Sequence, residues 1–431
     1  METMKSKQIE EVLQPKHEAK TVTIRGWVYR KRTMKGKVFL VIRDSTDIVQ
    51  VVVNENSKAW LDAQKITMES SCYITGKVRK DSRAPTGYEI DATIMEIVGL
   101  ADTFPIARDL SEEFLLDVRH LWIRSRKMQA VLKVRSKVFG AIHEFFRKQG
   151  YFEFQSPMFL QSACEGGSTL FDVKYFDKKV HLAQSWQLHC ETALPTLEKI
   201  YTIAPSFRAE KSRTTRHLTE FWHAEVESAW MDFDELQKVA EDLISHICQT
   251  VAKECKKELV VLGREPKELL AIKAPFTRIT YTKALEILSK DGMKIKWGKD
   301  LRTIEERQLM KHYKKPLIVT GYPKEVKAFY MPADPKDPRT VLAMDVLAPE
   351  TGDEIIGGSQ RSVDMKEILA KLKASGAKQK DYGFYLDTRK YGSIPHAGFG
   401  MGVERVIQWI CKLDSIRDAI PFPRTMTRTY P

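Results

Sequence analysis

Ser206 to Glu227 read SFRAEKSRTTRHLTEFWHAEVE, a span dense in arginine, glutamate, histidine and aromatic residues. Alternate residues of a strand share a face, so Arg208 and Glu210 are predicted to point the same way. Beyond the polar loop KSRTTR, Phe221, His223 and Glu225 share a face in turn. Two such strands about a short loop make an antiparallel hairpin. Its face would carry a guanidinium, a carboxylate and an aromatic ring, a set that suits a nucleotide. Arginine forks onto phosphate, phenylalanine stacks on a purine, and a carboxylate accepts from an adenine amino group. Lys211, Arg213 and Arg216 in the loop offer further phosphate contacts. The alternative is a solvated hairpin held by cross-strand ion pairs.

A second cluster lies far downstream. HAGFGMGVERVIQWICKL sets Gly398, Gly400 and Gly402 in alternation, then Glu404 and Arg405, then an apolar-periodic helix. Alternating glycines let a backbone or ligand lie flat against a strand, and Arg405 falls at a helix N-terminus, which favours phosphate. It is not the dinucleotide fingerprint, because the third glycine of GxGxxG would fall at Val403. A third stretch, GYFEFQSP from Gly150 to Pro157, follows a long helical pattern and says little by itself.

The bulk properties frame these clusters. A chain of 431 residues, 43% hydrophobic and 29% charged, is long enough for two or three globular domains. A formal net charge of +13 points to a polyanionic partner or to a basic but inert surface. The six cysteines form no CxxC pair and are too sparse for a disulfide scaffold, so a reduced, cytoplasmic setting is expected and a zinc site is not. The N-terminal METMKSKQIEEVLQPKHEAK has no apolar core of a leader, and no apolar run approaches the ~18 residues of a membrane span.

Periodicity divides the chain. TVTIRGWVYRK, KVFLVIRD, DIVQVVVN, a short helix SKAWLDAQKI, then SCYITGKVRK and GYEIDATIMEIVG predict a five-stranded OB-type barrel over residues 1–103. The pattern loosens over 104–128, a predicted hinge, and a second domain is expected over 129–431. Helical spacing starts near Ser125 and stops at Gly150. A second amphipathic helix is expected from Asp232 to Lys257, with Leu236, Val239, Leu243, Ile247 and Val251 on one face. Residues 258–330 show short mixed elements and few chemical signals.

Together the three clusters resemble the signature motifs of class II aminoacyl-tRNA synthetases. These are Gly150-Tyr151 to Pro157, then Phe207-Arg208-x-Glu210 with His217, Phe221 and Glu225, then Gly398 to Arg405. The N-terminal barrel fits the subgroup for aspartate, asparagine and lysine, whose anticodon-binding OB domain comes first. The resemblance spans about Val22 to Pro431 and implies an α+β fold, with a catalytic domain built on an antiparallel sheet flanked by helices, and a homodimer. One departure is Phe154, where the first motif usually has a smaller aliphatic residue.

Three further stretches, SACEGGSTLF, AQSWQLHCET and DEIIGGSQRS, resemble the asparaginyl-tRNA synthetases most. Aspartyl enzymes place a lysine where Cys190 stands here, and Glu191 follows. Asparagine and aspartate are nearly isosteric, so charge and donor pattern must separate them. Arg361 can donate to a side-chain oxygen of either, whereas a carboxylate at Glu191 would accept the asparagine amide and repel aspartate; ~5 kcal/mol of such repulsion exceeds a thousandfold. The alternative for Glu191 is a structural carboxylate pointing elsewhere. Cys190 reads as a small apolar filler.

The same resemblance assigns Glu165, in a loop closing on two glycines, and Gln187 to the L-asparagine α-ammonium, and counts Arg208 among the amino-acid contacts. ATP would meet Arg208, Glu210, Arg216, His217, Leu218, Phe221, Glu354, Gly402 and Arg405, with Arg208 and Arg405 carrying the catalytic charge stabilisation. Asp345 and Glu354, on what read as paired strands, would hold Mg2+ with phosphate oxygens and water; Glu350 and Asp353 between them read equally well as solvated loop charges. In the barrel, Phe39 and Gln50 would stack on and bond the central anticodon uridine of tRNA(Asn), with Arg30, Lys31, Arg32 and Lys35 on phosphates; the alternative is a core Phe and an incidental Gln. Three rivals remain: an aspartyl or non-discriminating synthetase, an adenylate-forming asparagine synthetase paralogue, and a catalytically inactive RNA-binding protein.

Overall fold

The computed structural model describes residues 5–106, 110–164, 169–212 and 216–431. Its contacts fall into two compact units, Met1–Leu116 and Asp117–Pro431.

In the first unit, β1 (Thr21–Met34), β2 (Lys37–Arg43), β3 (Ile48–Asn54), β4 (Ser71–Lys80) and β5 (Tyr88–Gly99) close into a barrel in the order β1-β2-β3-β5-β4. The five strands and the helix α1 (Trp60–Lys65) fall where the alternation put them. Val38, Leu40 and Ile42 of β2 point inward with Val49, Val51 and Val53 of β3, all fully buried. Two-residue periodicity turns the intervening residues outward. Phe39 pairs with Val52 and Val41 with Gln50, so Phe39 and Gln50 lie diagonally on one outer face, both half-buried.

The second unit is built on eight strands. They are β6 (Phe152–Glu153), β7 (Lys199–Phe207), β8 (Glu220–Ala229), β9 (Thr277–Thr280), β10 (Leu317–Thr320), β11 (Ala343–Leu347), β12 (Glu354–Gln360) and β13 (His396–Gly402), in the order β9-β10-β11-β12-β13-β8-β7-β6. The six central strands are antiparallel, and each outermost strand pairs parallel with its neighbour.

One face of this sheet carries the core. α2 (Arg126–Lys148) starts at Ser125, whose side chain accepts from the Met128 N–H, and the chain leaves it through Gly150 at φ 78. α3 (Phe233–Glu254) starts in a capping box between Asp232 and Glu235. Val131, Val138 and Phe146 of α2 and Leu236, Leu243 and Ile247 of α3 pack with Ala224, Val226, Met344, Ile356 and Met401 of the sheet. α4 (Val403–Ile410) follows β13 directly and joins the same core through Val406 and Ile410. Each such side chain contributes about 1.5–3 kcal/mol of burial, so the helix face is fixed and the alternate residues of the strands face the other way.

The predicted hinge is more structured than its composition suggested. It holds short helices at Glu112–Asp117 and Arg119–Trp122. Arg119 is 1% exposed, pairs with Asp418 at 2.9 Å and donates to the carbonyls of Arg417, Ile420 and Pro421. Polar residues read as loop in a sequence, but here they satisfy the chain's own C-terminal turns. Among the described residues, no helix is long and apolar enough to cross a membrane.

Candidate active site

The face of the sheet opposite the helices floors a cavity of about 280 Å³. Phe221, His223 and Glu225 of β8 reach it together, as their alternation required, while Ala224 and Val226 enter the core. Arg208 stands one residue past β7, but its N–H still bonds the Thr219 carbonyl at 3.0 Å, so the hairpin continues through it. Its guanidinium carbon lies 5.5 Å from the Phe221 ring centroid. The planar guanidinium and the aromatic ring thus line the same cavity.

The alternating glycines of β13 have a use other than the one expected. A Cβ on Gly398 would lie 2.2 Å from Glu227 Cδ, and one on Gly400 would lie 2.3 Å from His223 Nε2. The room they create is taken up by atoms of the adjacent β8, although Gly400 still lines the cavity. Gly402 differs: a Cβ there would meet only the Arg405 side chain, at 3.6 Å or more.

Arg208, Glu210, Arg216, His217, Leu218, Phe221, Glu354, Gly402 and Arg405 all line this one cavity. Arg405 Nη1 bonds the Glu354 carbonyl at 2.7 Å. Arg216 pairs with Glu306 at 2.6 Å and lies 3.6 Å from Asp353. His217 reports the local field: burial first, then Arg405, then Arg216 and Arg208 push its ring down to about 4, against the pull of Glu210. A neutral imidazole among three guanidiniums marks a site arranged for an anion.

Asp345 and Glu354 come together across the β11–β12 pair. A Cβ on Gly357 would lie 2.7 Å from Glu354 Oε1 and 3.6 Å from Asp345 Oδ1, so the two carboxylates converge over that glycine. Burial raises Asp345 to about 6 while Lys327, 2.6 Å away, pulls it down and Glu354 adds to the rise. Burial also acts to raise Glu354, but Arg405, Lys327, Arg208 and Arg216 overcome it and hold the carboxylate ionised. Among the described residues no group of three or more His, Cys, Asp or Glu side chains could hold a metal ion by itself, so these two hard oxygen donors would suit Mg2+ only with phosphate oxygens and water completing its shell. Asp353 is not the solvated loop charge that was one reading of it: it is 1% exposed and faces Arg216. Glu350 pairs with the buried Arg264.

At the other end of the cavity stand Gln187, Ser185, Glu225 and Arg361. Arg361 is 4% exposed and forks onto Glu227, with Nη1 on Ser359 Oγ at 2.8 Å. Glu225 accepts from the Trp186 N–H at 2.9 Å and from Ser185 Oγ at 2.5 Å. Burial pushes Glu227 up, Arg361 pulls it back, and Glu191 adds to the rise, leaving it at about 7.

Glu191 is not in the cavity wall, which corrects its expected role as the carboxylate that touches the substrate amide. Its side chain is at 0% exposure, with Oε2 held by Arg389 at 2.6 Å and His396 at 2.9 Å and Oε1 accepting from Gln187 at 2.9 Å. Glu191 follows Cys190 at the end of the short helix Gln187–Cys190, and four residues is the spacing that brings it back against Gln187 rather than into the cavity. Cys190 is the buried filler expected, at 0% exposure, its thiol raised well above its usual range by burial first. Phe154 packs on Trp186, ring centroids 6.1 Å apart. Glu165 and Arg213 lie outside the described residues.

Lys327, Tyr330 and Glu306 are the groups sequence reasoning missed. Lys327 and Tyr330 line the cavity, Lys327 sits 3.9 Å from the Tyr322 ring centroid, and Tyr330 lies under Arg361. All three come from the stretch that carried no spacing signal. In the barrel, Gln50 Nε2 bonds Glu89 at 3.0 Å, and Arg30, Arg32 and Lys35 are exposed. Lys31 is instead turned onto the carbonyls of Gln64 and Ile66, at 2.7 and 2.8 Å, which uses two of its three donors.

An antiparallel sheet backed by helices, with a glycine-lined strand running into an arginine-bearing helix, defines the catalytic unit of a class II synthetase. The profile of the tRNA synthetases class II (D, K and N) matches residues 111–426, and that of the OB-fold nucleic acid binding domain matches residues 22–98. The chain belongs to this class II family. It is 49% identical over 420 residues to the asparagine–tRNA ligase of Thermococcus kodakarensis, covering 97% of each chain. Its structure superposes on the Pyrococcus horikoshii asparaginyl-tRNA synthetase complexed with asparaginyl-adenylate with a TM-score of 0.95, at 46% identity over 99% of this chain and 100% of that one. The aspartyl-tRNA synthetase of Entamoeba histolytica is more distant, at 28% identity and a TM-score of 0.86, with coverage of 99% and 93%.

Proposed function

We propose that this chain is an asparagine–tRNA ligase, activating L-asparagine with ATP and passing the asparaginyl group to the 3′ end of tRNA(Asn). The observation that carries the proposal is the single cavity in which Arg208, Arg216 and Arg405 surround a neutral His217 at one end while Arg361, Gln187 and Glu225 stand at the other. An anion site continuous with a small polar pocket suits a nucleotide triphosphate placed against an amino acid.

The asparagine carboxylate is a nucleophile at neutral pH and needs no general base. It attacks the α-phosphorus in line. Arg208 takes the charge that grows on the α-phosphate, and Arg405, with Arg216 and His217, steadies the departing pyrophosphate. Phe221 and Arg405 hold adenine between them, with Leu218 and Gly402 against the nucleotide and Glu210 placed for its amino group. Asp345 and Glu354 would hold Mg2+, which supplies further charge neutralisation at the phosphates. Catalysis is then positioning and electrostatic stabilisation.

For the amino acid, Gln187 accepts from the α-ammonium, joined by Glu165. Arg361 donates to the side-chain oxygen. Glu225 lines the cavity, its oxygens also accepting from Ser185 Oγ and the Trp186 N–H, and takes the amide-acceptor role in place of Glu191, which lies behind the wall. Phe39 and Gln50, side by side on the barrel's outer face, read the anticodon. The working form is a homodimer, and its compartment the cytoplasm, with which six free, buried cysteines agree; sedimentation at the mass of one chain would refute the dimer.

ATP–pyrophosphate exchange with asparagine and with aspartate, followed by charging of tRNA(Asn), tests the whole proposal. Exchange and charging with asparagine are expected. Exchange with aspartate alone would move the chain to the aspartyl reading, and none with either would remove the enzymatic one.

A further inference from the structure

We propose that Glu191 is a positioning residue for amino-acid binding, fixing the Gln187 side-chain amide so that its carbonyl oxygen faces the cavity. A glutamine amide is nearly symmetric in shape, and its two orientations exchange a donor for an acceptor. Gln187 Nε2 lies 2.9 Å from Glu191 Oε1. A carboxylate only accepts, so the NH2 turns toward it and the carbonyl oxygen away, on the side where the weakly donating Cys164 Sγ lies 3.9 Å from it. The opposite orientation would set oxygen against oxygen in a dry interior, where repulsion is poorly screened.

Glu191 has no freedom of its own. Its Oε2 is held by Arg389 Nη2 at 2.6 Å and by His396 Nε2 at 2.9 Å. Arg389 is fixed in turn by the Ser362 carbonyl at 3.1 Å and Tyr385 Oη at 2.8 Å, and His396 Nδ1 donates to the Ile394 carbonyl at 2.8 Å. A buried charge is tolerated only when its partners are this complete. The frame draws on three separate segments and ends on one atom, Gln187 Nε2. Among the described residues, Gln187 is the cavity-lining side chain it grips through Glu191 Oε1. An acceptor presented there suits an ammonium group, while an NH2 presented there would repel it.

The inference rests on Gln187 meeting the α-ammonium, and one set of measurements separates the two. The probes are asparagine and succinamate, which is asparagine without its α-ammonium, assayed as substrate and as competitive inhibitor of pyrophosphate exchange. Glu191→Gln can offer its own NH2 to Gln187 and so releases the amide to either orientation. It is expected to raise KM for asparagine about tenfold or more, leaving KM for ATP and Ki for succinamate unchanged. Added to Gln187→Ala it should have no further effect. Gln187→Glu, an acceptor in either orientation, should bring KM for asparagine back toward the parent value in the Glu191→Gln background. Arg389→Lys, which keeps the charge and loosens the carboxylate, should show the same pattern more weakly and serves if Glu191→Gln folds poorly.

Equal weakening of asparagine and succinamate by Glu191→Gln, full additivity with Gln187→Ala, or an unchanged KM for asparagine would overturn the proposal. If Gln187→Ala itself weakens both ligands alike, the ammonium reading of Gln187 fails and takes the inference with it. If Gln187→Ala is selective and Glu191→Gln is not, only the role of Glu191 falls.

Discussion

Arg405 Nη1 donates to the backbone carbonyl of Glu354 at 2.7 Å, across 51 positions of sequence. The bond ties the first turn of α4 to the strand that bears one of the two carboxylates over Gly357. A guanidinium anchored by one nitrogen keeps its remaining donors in a fixed direction, which a flexible ammonium does not.

Arg405→Ala should therefore lower kcat/KM for ATP in pyrophosphate exchange by about 10²–10³, the cost of removing one preorganised donor to developing charge. Arg405→Lys should recover only a small part of it, since the anchor and the stacking plane are both lost. Full recovery by lysine would show that charge alone matters there.

His217 should change its titration when nucleotide binds. Burial and the surrounding guanidiniums hold its ring at about 4, so it is neutral at pH 7. A triphosphate neutralises those guanidiniums, so the pKa should move upward with ATP bound, visible in the ring proton shifts. The same depression makes the free protein lose stability as pH falls from the unfolded value of about 6.5 through about 4, because the unfolded chain takes the proton first. ATP should reduce that acid sensitivity.

Gly398→Ala should destabilise the catalytic unit. The added methyl would lie 2.2 Å from Glu227 Cδ and 2.3 Å from the Val226 carbonyl oxygen, and the latter is backbone in a central strand. Overpacking of this kind costs about 1–3 kcal/mol. The fall in Tm should come with weaker asparagine binding, since displacing Glu227 releases Arg361.

Phe39→Ala and Gln50→Ala should separate the two halves of the reaction. Losing a base-stacking ring costs about 1–3 kcal/mol, so KM for tRNA(Asn) should rise by roughly five- to a hundredfold. Pyrophosphate exchange without tRNA should stay at the parent level. A parallel fall in both would remove the anticodon role.

Much of this protein is written in short-range order. Two-residue alternation set all five barrel strands, and heptad-like spacing set α2 and α3, because burial of one face is decided by residues a turn or a pleat apart. The same local logic put Phe221, His223 and Glu225 on one face and named Arg208 and Arg405 as partners in charge. What the order of residues left open was decided by packing at long range. Gly398 and Gly400 look like a ledge for a ligand until β8 is seen to fill them. Lys327 and Glu306 carry no motif, yet the fold delivers them to Asp345 and Arg216, where only the summed field of distant charges gives them meaning. Glu191, adjacent in sequence to the substrate pocket, ends behind its wall because Arg389 and His396, some two hundred positions away, supply the compensating charge that a buried carboxylate requires.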